Sequence, residues 1–136
     1  MKVVVGTNIL FSALLSSCSK YRDLLFDDTL KIYSPNFVFL EIFRHKEKIL
    51  KCTKESEAAV YEFLGSILKR VIFIKEDLIS EENFMKAFSM CREIDEADTP
   101  FVALALELDA YLLSGDEKLK KTLLEKGFKK FFQNLP

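Results

Sequence analysis

The chain has 136 residues, 49% of them hydrophobic and 30% charged, with only four glycines and three prolines. That composition excludes intrinsically disordered, collagen-like and low-complexity classes and fits one compact domain over residues 1–136. Twenty basic residues against 21 acidic ones give a net charge of −1, so no overall positive field gathers nucleic acid non-specifically.

In chain order, Val3–Val5 is a β-branched run that reads as a buried parallel strand. Ile9, Leu10, Ala13 and Leu14 follow at helical spacing, so a helix succeeds the strand at once. Ser19 is placed to cap a second helix carrying Leu24 and Leu25, and Lys31–Tyr33 reads as a brief strand. Ser34-Pro35 has the form of a helix start, with serine as N-cap and proline at the first helical position, and that helix is expected to run to about Lys51. Thr53 is expected to cap the next helix, whose stripe is Val60, Phe63, Leu64, Ile67 and Leu68. Val71–Ile74 reads as a strand, and Ser80 opens a helix with Phe84, Ala87, Phe88 and Cys91 on one side. A polar loop, Asp95–Asp98, leads into a helix started by Thr99-Pro100 that is apolar nearly all round and therefore buried. Ala110–Leu113 is a strand and Ser114–Asp116 a turn. A lysine-rich helix from Glu117 to Glu125 is ended by Gly127, and Phe131-Phe132 is a last short strand. Strands alternating with helices predict an α/β fold, a small and mostly parallel central sheet covered by helices on both faces.

Cys18, Cys52 and Cys91 form no Cys-x-x-Cys pair and His45 is alone. They argue against a disulfide framework or a zinc site and for a reducing, cytoplasmic setting. The chemistry must then rest on carboxylates. The segment Leu15-Ser16-Ser17-Cys18 resembles a lipoprotein cleavage site, but Thr7-Asn8 interrupt the apolar stretch before it and a single Lys2 is a thin positive region. No apolar run approaches the ~20 residues a membrane span needs. Charge is unevenly spread. Arg44, Lys46, Lys48, Lys51 and Lys54 face only Glu47 in their stretch, and six lysines follow Glu117. Eight acids between Glu76 and Asp98 face only Lys86 and Arg92. Solvated helix faces account for such runs, and so does an acidic site flanked by basic ground that suits a polyanion.

In open α/β sheets, ligands bind beyond the carboxyl ends of the strands. Gly6-Thr7-Asn8, Asp116 and the Asp95/Asp98 loop fall at or near that edge, and Glu41 is placed to point there from its helix. Helix capping explains Asp98 and Asp116. A hard-cation site explains them equally in kind, since Mg²⁺ and Mn²⁺ take oxygen ligands.

Four segments carry a resemblance: VVVGTNILFSALL (Val3–Leu15), the glutamate of FLEI (Glu41), DEADTPFVALALEL (Asp95–Leu108) and LLSGDEKLKK (Leu112–Lys121). Together, and in this order, they are similar to the PIN-domain family of metal-dependent ribonucleases, in particular the toxin components of toxin–antitoxin pairs. The resemblance implies a three-layer α/β/α fold, Mg²⁺ or Mn²⁺ as cofactor, and hydrolysis of an RNA phosphodiester, preferably in single-stranded or looped RNA. It implies Glu41, Asp98 and Asp116 as catalytic metal ligands, Asp95 as an auxiliary, and Thr7, Asn8 and Ser114 as polar supports. Arg44, Lys46, Lys118, Lys120 and Lys121 are the candidates for RNA-backbone contact, with plain surface solubility as their other reading. An antitoxin protein that aims a basic side chain at the acidic pocket, and a homodimer, are implied partners. A non-catalytic RNA- or protein-binding module is the alternative, and nuclease action on ribosomal precursors or structured DNA, as in other branches, suits so short a chain less well.

One position departs from the family. Where it carries an aspartate at the end of the first strand, this chain has Gly6, which offers no side-chain oxygen. Either Asp95 compensates, or the chain is a degenerate binding member, or an inactivating Asp-to-Gly change stands here, which needs one base. The intact remaining acids favour the last. A structural need for glycine at this turn is the bland reading. The thirteen phenylalanines and Cys91 are expected to pack in the core, and His45 to be exposed.

Overall fold

A computed structural model describes residues 1–16 and 19–133. Ser17 and Cys18 of the leader-like motif lie outside the described residues. Four strands, β1 (Lys2–Val5), β2 (Lys31–Pro35), β3 (Val71–Ile74) and β4 (Tyr111–Leu113), form one parallel sheet in the order β3-β2-β1-β4. Val3, Val4 and Val5 are wholly buried, as interior strands of parallel sheets must be.

Five helices follow in the first part of the chain: α1 (Thr7–Leu15), α2 (Lys20–Leu25), α3 (Asn36–Arg44), α4 (Lys46–Cys52) and α5 (Glu57–Arg70). They cover one face, where Leu10, Leu14, Leu25, Val38, Ile42, Ile49, Leu64 and Ile67 pack on Val3 and Val5. Three helices cover the other: α6 (Glu81–Cys91), α7 (Thr99–Leu108) and α8 (Glu117–Glu125), with Ala87, Val102, Leu104, Leu119 and Leu123 packed on Val4 and Leu112. The result is three layers, α/β/α. Helix α7, apolar nearly all round, is deeply buried; Val102, Ala103, Leu104 and Ala105 are at most 1% exposed. Of the phenylalanines expected in the core only Phe128 is buried; most of the others are half-buried against the core, and Phe26 and Phe43 are exposed.

Several boundaries differ from the sequence expectation. Ser34 and Pro35 belong to β2, in register with Phe73 and Ile74, and α3 starts at Asn36. An N-cap residue and a strand residue share extended φ/ψ, so the dipeptide was compatible with either, and pairing with a strand 39 positions away decided it. The helix expected to reach Lys51 is two, α3 and α4, broken at His45 (φ −102°, ψ 15°), which is exposed as expected. Thr53 ends α4; its hydroxyl donates to Leu15 O (3.3 Å) and accepts from Glu55 N–H (3.0 Å). Ser56 caps α5 instead, accepting from Ala59 N–H at 3.1 Å. Phe131 forms only an isolated bridge to Leu112 rather than a strand. A short 3₁₀ turn at Glu96–Asp98 falls within the expected polar loop, and another stands at Glu76–Leu78. Cys91 is a fully buried thiol pushed up to about 11, first by burial and then by the charge of Asp98.

Candidate functional site

Strand order dictates where the site lies. From β1 the chain turns into α1 on one face of the sheet, whereas from β4 it turns into α8 on the other. Adjacent parallel strands whose exits diverge in this way leave a crevice beyond their carboxyl ends. A cavity of about 480 Å³ opens there, walled by Gly6, Thr7 and Asn8 from the β1 exit, Ser114–Asp116 from the β4 exit, and Asp98 from the start of α7.

Asp98 occupies the N-cap position of α7, yet its carboxylate makes no capping bond. It is half-buried beside α7 and its pKa is pushed up to about 6, chiefly by burial and then by the negative charges of Asp95 and Asp116. No lysine or arginine is among the residues that wall the cavity. Asp116 combines both readings of the sequence. One oxygen caps α8, accepting from Leu119 N–H at 3.1 Å, while the residue still walls the cavity. Ser114 Oγ accepts from the Asp116 N–H (3.1 Å), which fixes the turn that presents it. Asp95 is exposed and its Oδ1 caps the 3₁₀ turn through Ala97 N–H (2.9 Å).

Glu41 lies apart. It lines a neighbouring cavity of about 300 Å³ with Phe11, His45, Lys48 and Cys52, and the two cavities share Thr7 and Asn8 as a common wall. The sequence expectation of one hollow holding Glu41, Asp95, Asp98 and Asp116 is therefore met by Asp98 and Asp116, with Asp95 alongside and Glu41 next door. Among the described residues, no three His, Cys, Asp or Glu side chains converge as a metal-holding group. The donor chemistry suits a hard cation, being all oxygen and uncompensated in charge, but the donor number falls short of what such an ion takes from protein and water together. As it stands, the residue set does not fit a complete cation site.

The shortfall is at Gly6. Its backbone is extended (φ −100°, ψ 178°), a conformation open to any residue, so the turn does not require glycine. A Cβ placed there would stand 3.5–3.7 Å from the Phe101 ring, an ordinary contact. Position 6 thus has room for a Cβ at the cavity wall and a backbone open to any residue.

Sequence reading missed three wall residues: Ser12, Tyr21 and Phe101. Phe101 is fixed by an edge contact with Phe37 (5.5 Å between ring centres), and the Tyr21 hydroxyl lies 3.5 Å from where a Gly115 Cβ would sit. Ser34, expected as a cap, is instead buried and donates to Val5 O (2.9 Å), pinning the strand end just before Gly6. Of the basic candidates, Lys118 and Lys121 are exposed on α8, which starts at the cavity, and Lys120 is paired with Glu117 at 3.3 Å. Arg44 is exposed at the end of α3, and Lys46 lies over the Tyr61 ring at 5.9 Å.

A family model for the PIN domain matches residues 4–129, nearly the whole chain. The chain belongs to the PIN-domain family. Members of that family are generally ribonucleases that depend on divalent metal. Among solved structures, a chain in the crystal structure of VapBC2 from Rickettsia felis bound to a DNA fragment from their promoter is similar in fold. Its TM-score is 0.65 at 21% identity, over 90% of this chain and 93% of that one. No curated protein matches the sequence significantly. No described helix is long and apolar enough to cross a membrane.

Proposed function

We propose that this PIN domain is built as an Mg²⁺- or Mn²⁺-dependent endoribonuclease, the toxin of a cytoplasmic toxin–antitoxin pair, and that Gly6 leaves the present chain impaired. The observation that carries the reading is Asp98: a half-buried carboxyl driven up in pKa chiefly by burial and then by two like-charged neighbours, in a crevice without a basic wall residue. A structural network would have supplied a lysine; a cation site leaves the charge open. Asp98 and Asp116 would hold the cation, with Asp95 adding to their charge and Glu41 supporting from the adjoining cavity. Thr7, Asn8 and Ser114 shape the walls, and Lys118, Lys120, Lys121, Arg44 and Lys46 meet RNA phosphates on either side. The chemistry a cation supplies in such a site is an acidified water and neutralised phosphate charge. With no carboxylate at residue 6 that contribution is lost, so the remaining acids hold a polar, negatively charged cleft without completing the reaction centre.

The fold shared with a VapBC2 chain supports the toxin assignment. An antitoxin that projects arginine or lysine into the crevice would satisfy Asp98 as a cation does, and pairing with a second copy completes the assembly. The competing reading, a binding module without chemistry, draws on the absence of a three-carboxylate cluster among the described residues. Gly6→Asp separates the two. The variant is expected to cleave single-stranded RNA in Mg²⁺ or Mn²⁺, on the order of a hundredfold or more above the parent, and to lose that cleavage on adding Asp116→Ala. A Gly6→Asp protein inert on a broad RNA panel in both metals favours the binding module.

A further inference from the structure

The crevice beyond β1 and β4 lacks cationic side chains, and this decides what else its walls must offer a phosphodiester. Asp98 and Asp116 only accept hydrogen bonds when ionised, and a cation satisfies them. The oxygens of a phosphodiester are acceptors too, so those turned away from the cation need donors from the protein. With no lysine or arginine in the wall, the side-chain donors are the Asn8 amide and the hydroxyls of Thr7, Ser12, Tyr21 and Ser114.

Tyr21 is held in place along the chain on both sides. Ser19 Oγ accepts from the Tyr21 N–H at 3.3 Å, Arg22 Nε donates to Ala13 O at 2.7 Å and ties α2 to α1, and Leu24 and Leu25 are buried. The ring is half-buried against the core of that face, and Lys20 Nζ lies over it at 5.3 Å. Its hydroxyl reaches the Ser114–Asp116 turn and has no hydrogen-bond partner among the described residues. A tyrosine hydroxyl carried into a protein wall ordinarily finds one. The residue it reaches is a glycine that the backbone does not demand: Gly115 has no positive φ, as Gly127 does (97°). A Cβ on residue 115 would stand 3.5 Å from Tyr21 Oη, and a longer side chain would crowd the hydroxyl. The missing side chain keeps a slot open between the phenol and the turn that presents Asp116.

We infer that the Tyr21 hydroxyl donates to a non-bridging phosphate oxygen of an RNA strand lying in this slot, and so holds the strand against the Asp116 turn. This deepens the proposed function and rests on its reading of the crevice as an RNA site. Fluorescence anisotropy of a labelled single-stranded RNA, titrated with the full parent chain at low salt in millimolar Mn²⁺, tests it. Tyr21→Phe is expected to weaken binding about tenfold. Tyr111→Phe, at the amino end of β4, should leave it unchanged. Gly115→Val fills the slot and weakens binding by a similar factor, and Tyr21→Phe added to it costs nothing more, since both act on one contact. The hydroxyl has no partner within the chain to lose, so thermal melts of Tyr21→Phe should match the parent. If Gly115→Val melts early, Gly115→Ala takes its place with a smaller loss of binding. A DNA strand of the same sequence should lose the same factor to Tyr21→Phe; a loss confined to RNA would put the hydroxyl on the ribose and overturn the phosphate contact. RNA binding indifferent to Tyr21→Phe overturns this contact alone. A parent that binds no RNA overturns it together with the reading of the crevice as an RNA site.

Discussion

The two ends of β4 handle charge in opposite ways. At its amino end, Asp109 turns the chain in a left-handed conformation (φ 52°) after α7, and its charge is answered by Lys130. Lys130 Nζ donates to Asp109 O (2.7 Å) and Oδ1 (2.8 Å), and Lys2 reaches Leu108 O (3.4 Å). Lys126 pairs with Glu93 at 3.3 Å. The cavity of about 420 Å³ there is lined by Lys86, Lys126, Lys129 and Lys130, but it sits at the carbonyl end of α7, whose negative pole these lysines neutralise. The carboxyl end of the same strand has three aspartates and no basic wall residue. Asp109 is held below the ordinary carboxylate range by its hydrogen bond to Lys130; Asp98 is driven above it. Charge that closes on itself secures the turn. Charge left open, at a strand edge where two exits diverge, is kept for a ligand.

That contrast breaks most visibly at Asp98. The folded chain keeps the Asp98 proton up to about 6, against 3.8 for the free group, so between those values the folded state binds more protons than the unfolded one. Stability from this group is therefore lost as pH rises from about 4 to about 6 and stays lost above. Asp98→Asn removes the penalty and is expected to stabilise the chain by about 1–2 kcal/mol at pH 7.5, after discounting for solvent screening. The gain should shrink toward pH 4, as followed by thermal melts across that range. Melts of Asp98→Asn that coincide with the parent at pH 7.5 would mean that neither burial nor the neighbouring aspartates burden the Asp98 charge. Asp109→Asn sharpens the comparison from the other side, with a smaller effect of opposite sign. Its lowered pKa contributes stability above the ordinary carboxylate range that is lost as pH falls, so the variant should melt slightly below the parent at pH 7.5. High salt should erase most of that difference, because the pair is on the surface.

Much of this architecture was legible in residue patterns, and the illegible parts share a cause. The β-branched run Val3–Val5 passing straight into a helix, and Thr99-Pro100 opening a nearly all-apolar helix, are local signals, and both elements formed where expected. Asp98 follows from the second of these and Asp116 from the start of α8, each standing at a helix start on the cavity wall. Ser34-Pro35 misled because pairing with Phe73 and Ile74 is non-local. The break at His45 turned α4 away from α3 without proline or glycine to announce it. Glu41 points into the adjoining cavity because the rotation of α3, set by Val38 and Ile42 in the core, decides which side residue 41 faces. Tyr21 reaches the crevice from α2, an element with no motif to flag it. Gly6 was legible only against the family pattern, and the extended backbone there explains why an aspartate is compatible with the same turn.

Calorimetric titration of Mn²⁺ into the parent and into Gly6→Asp weighs most directly the idea of a cation pocket short by one carboxylate. The parent should show no saturable heat at micromolar metal, Gly6→Asp should bind, and Asp116→Ala added to it should abolish the heat again. Equal binding by parent and Gly6→Asp, or none by either, would contradict it.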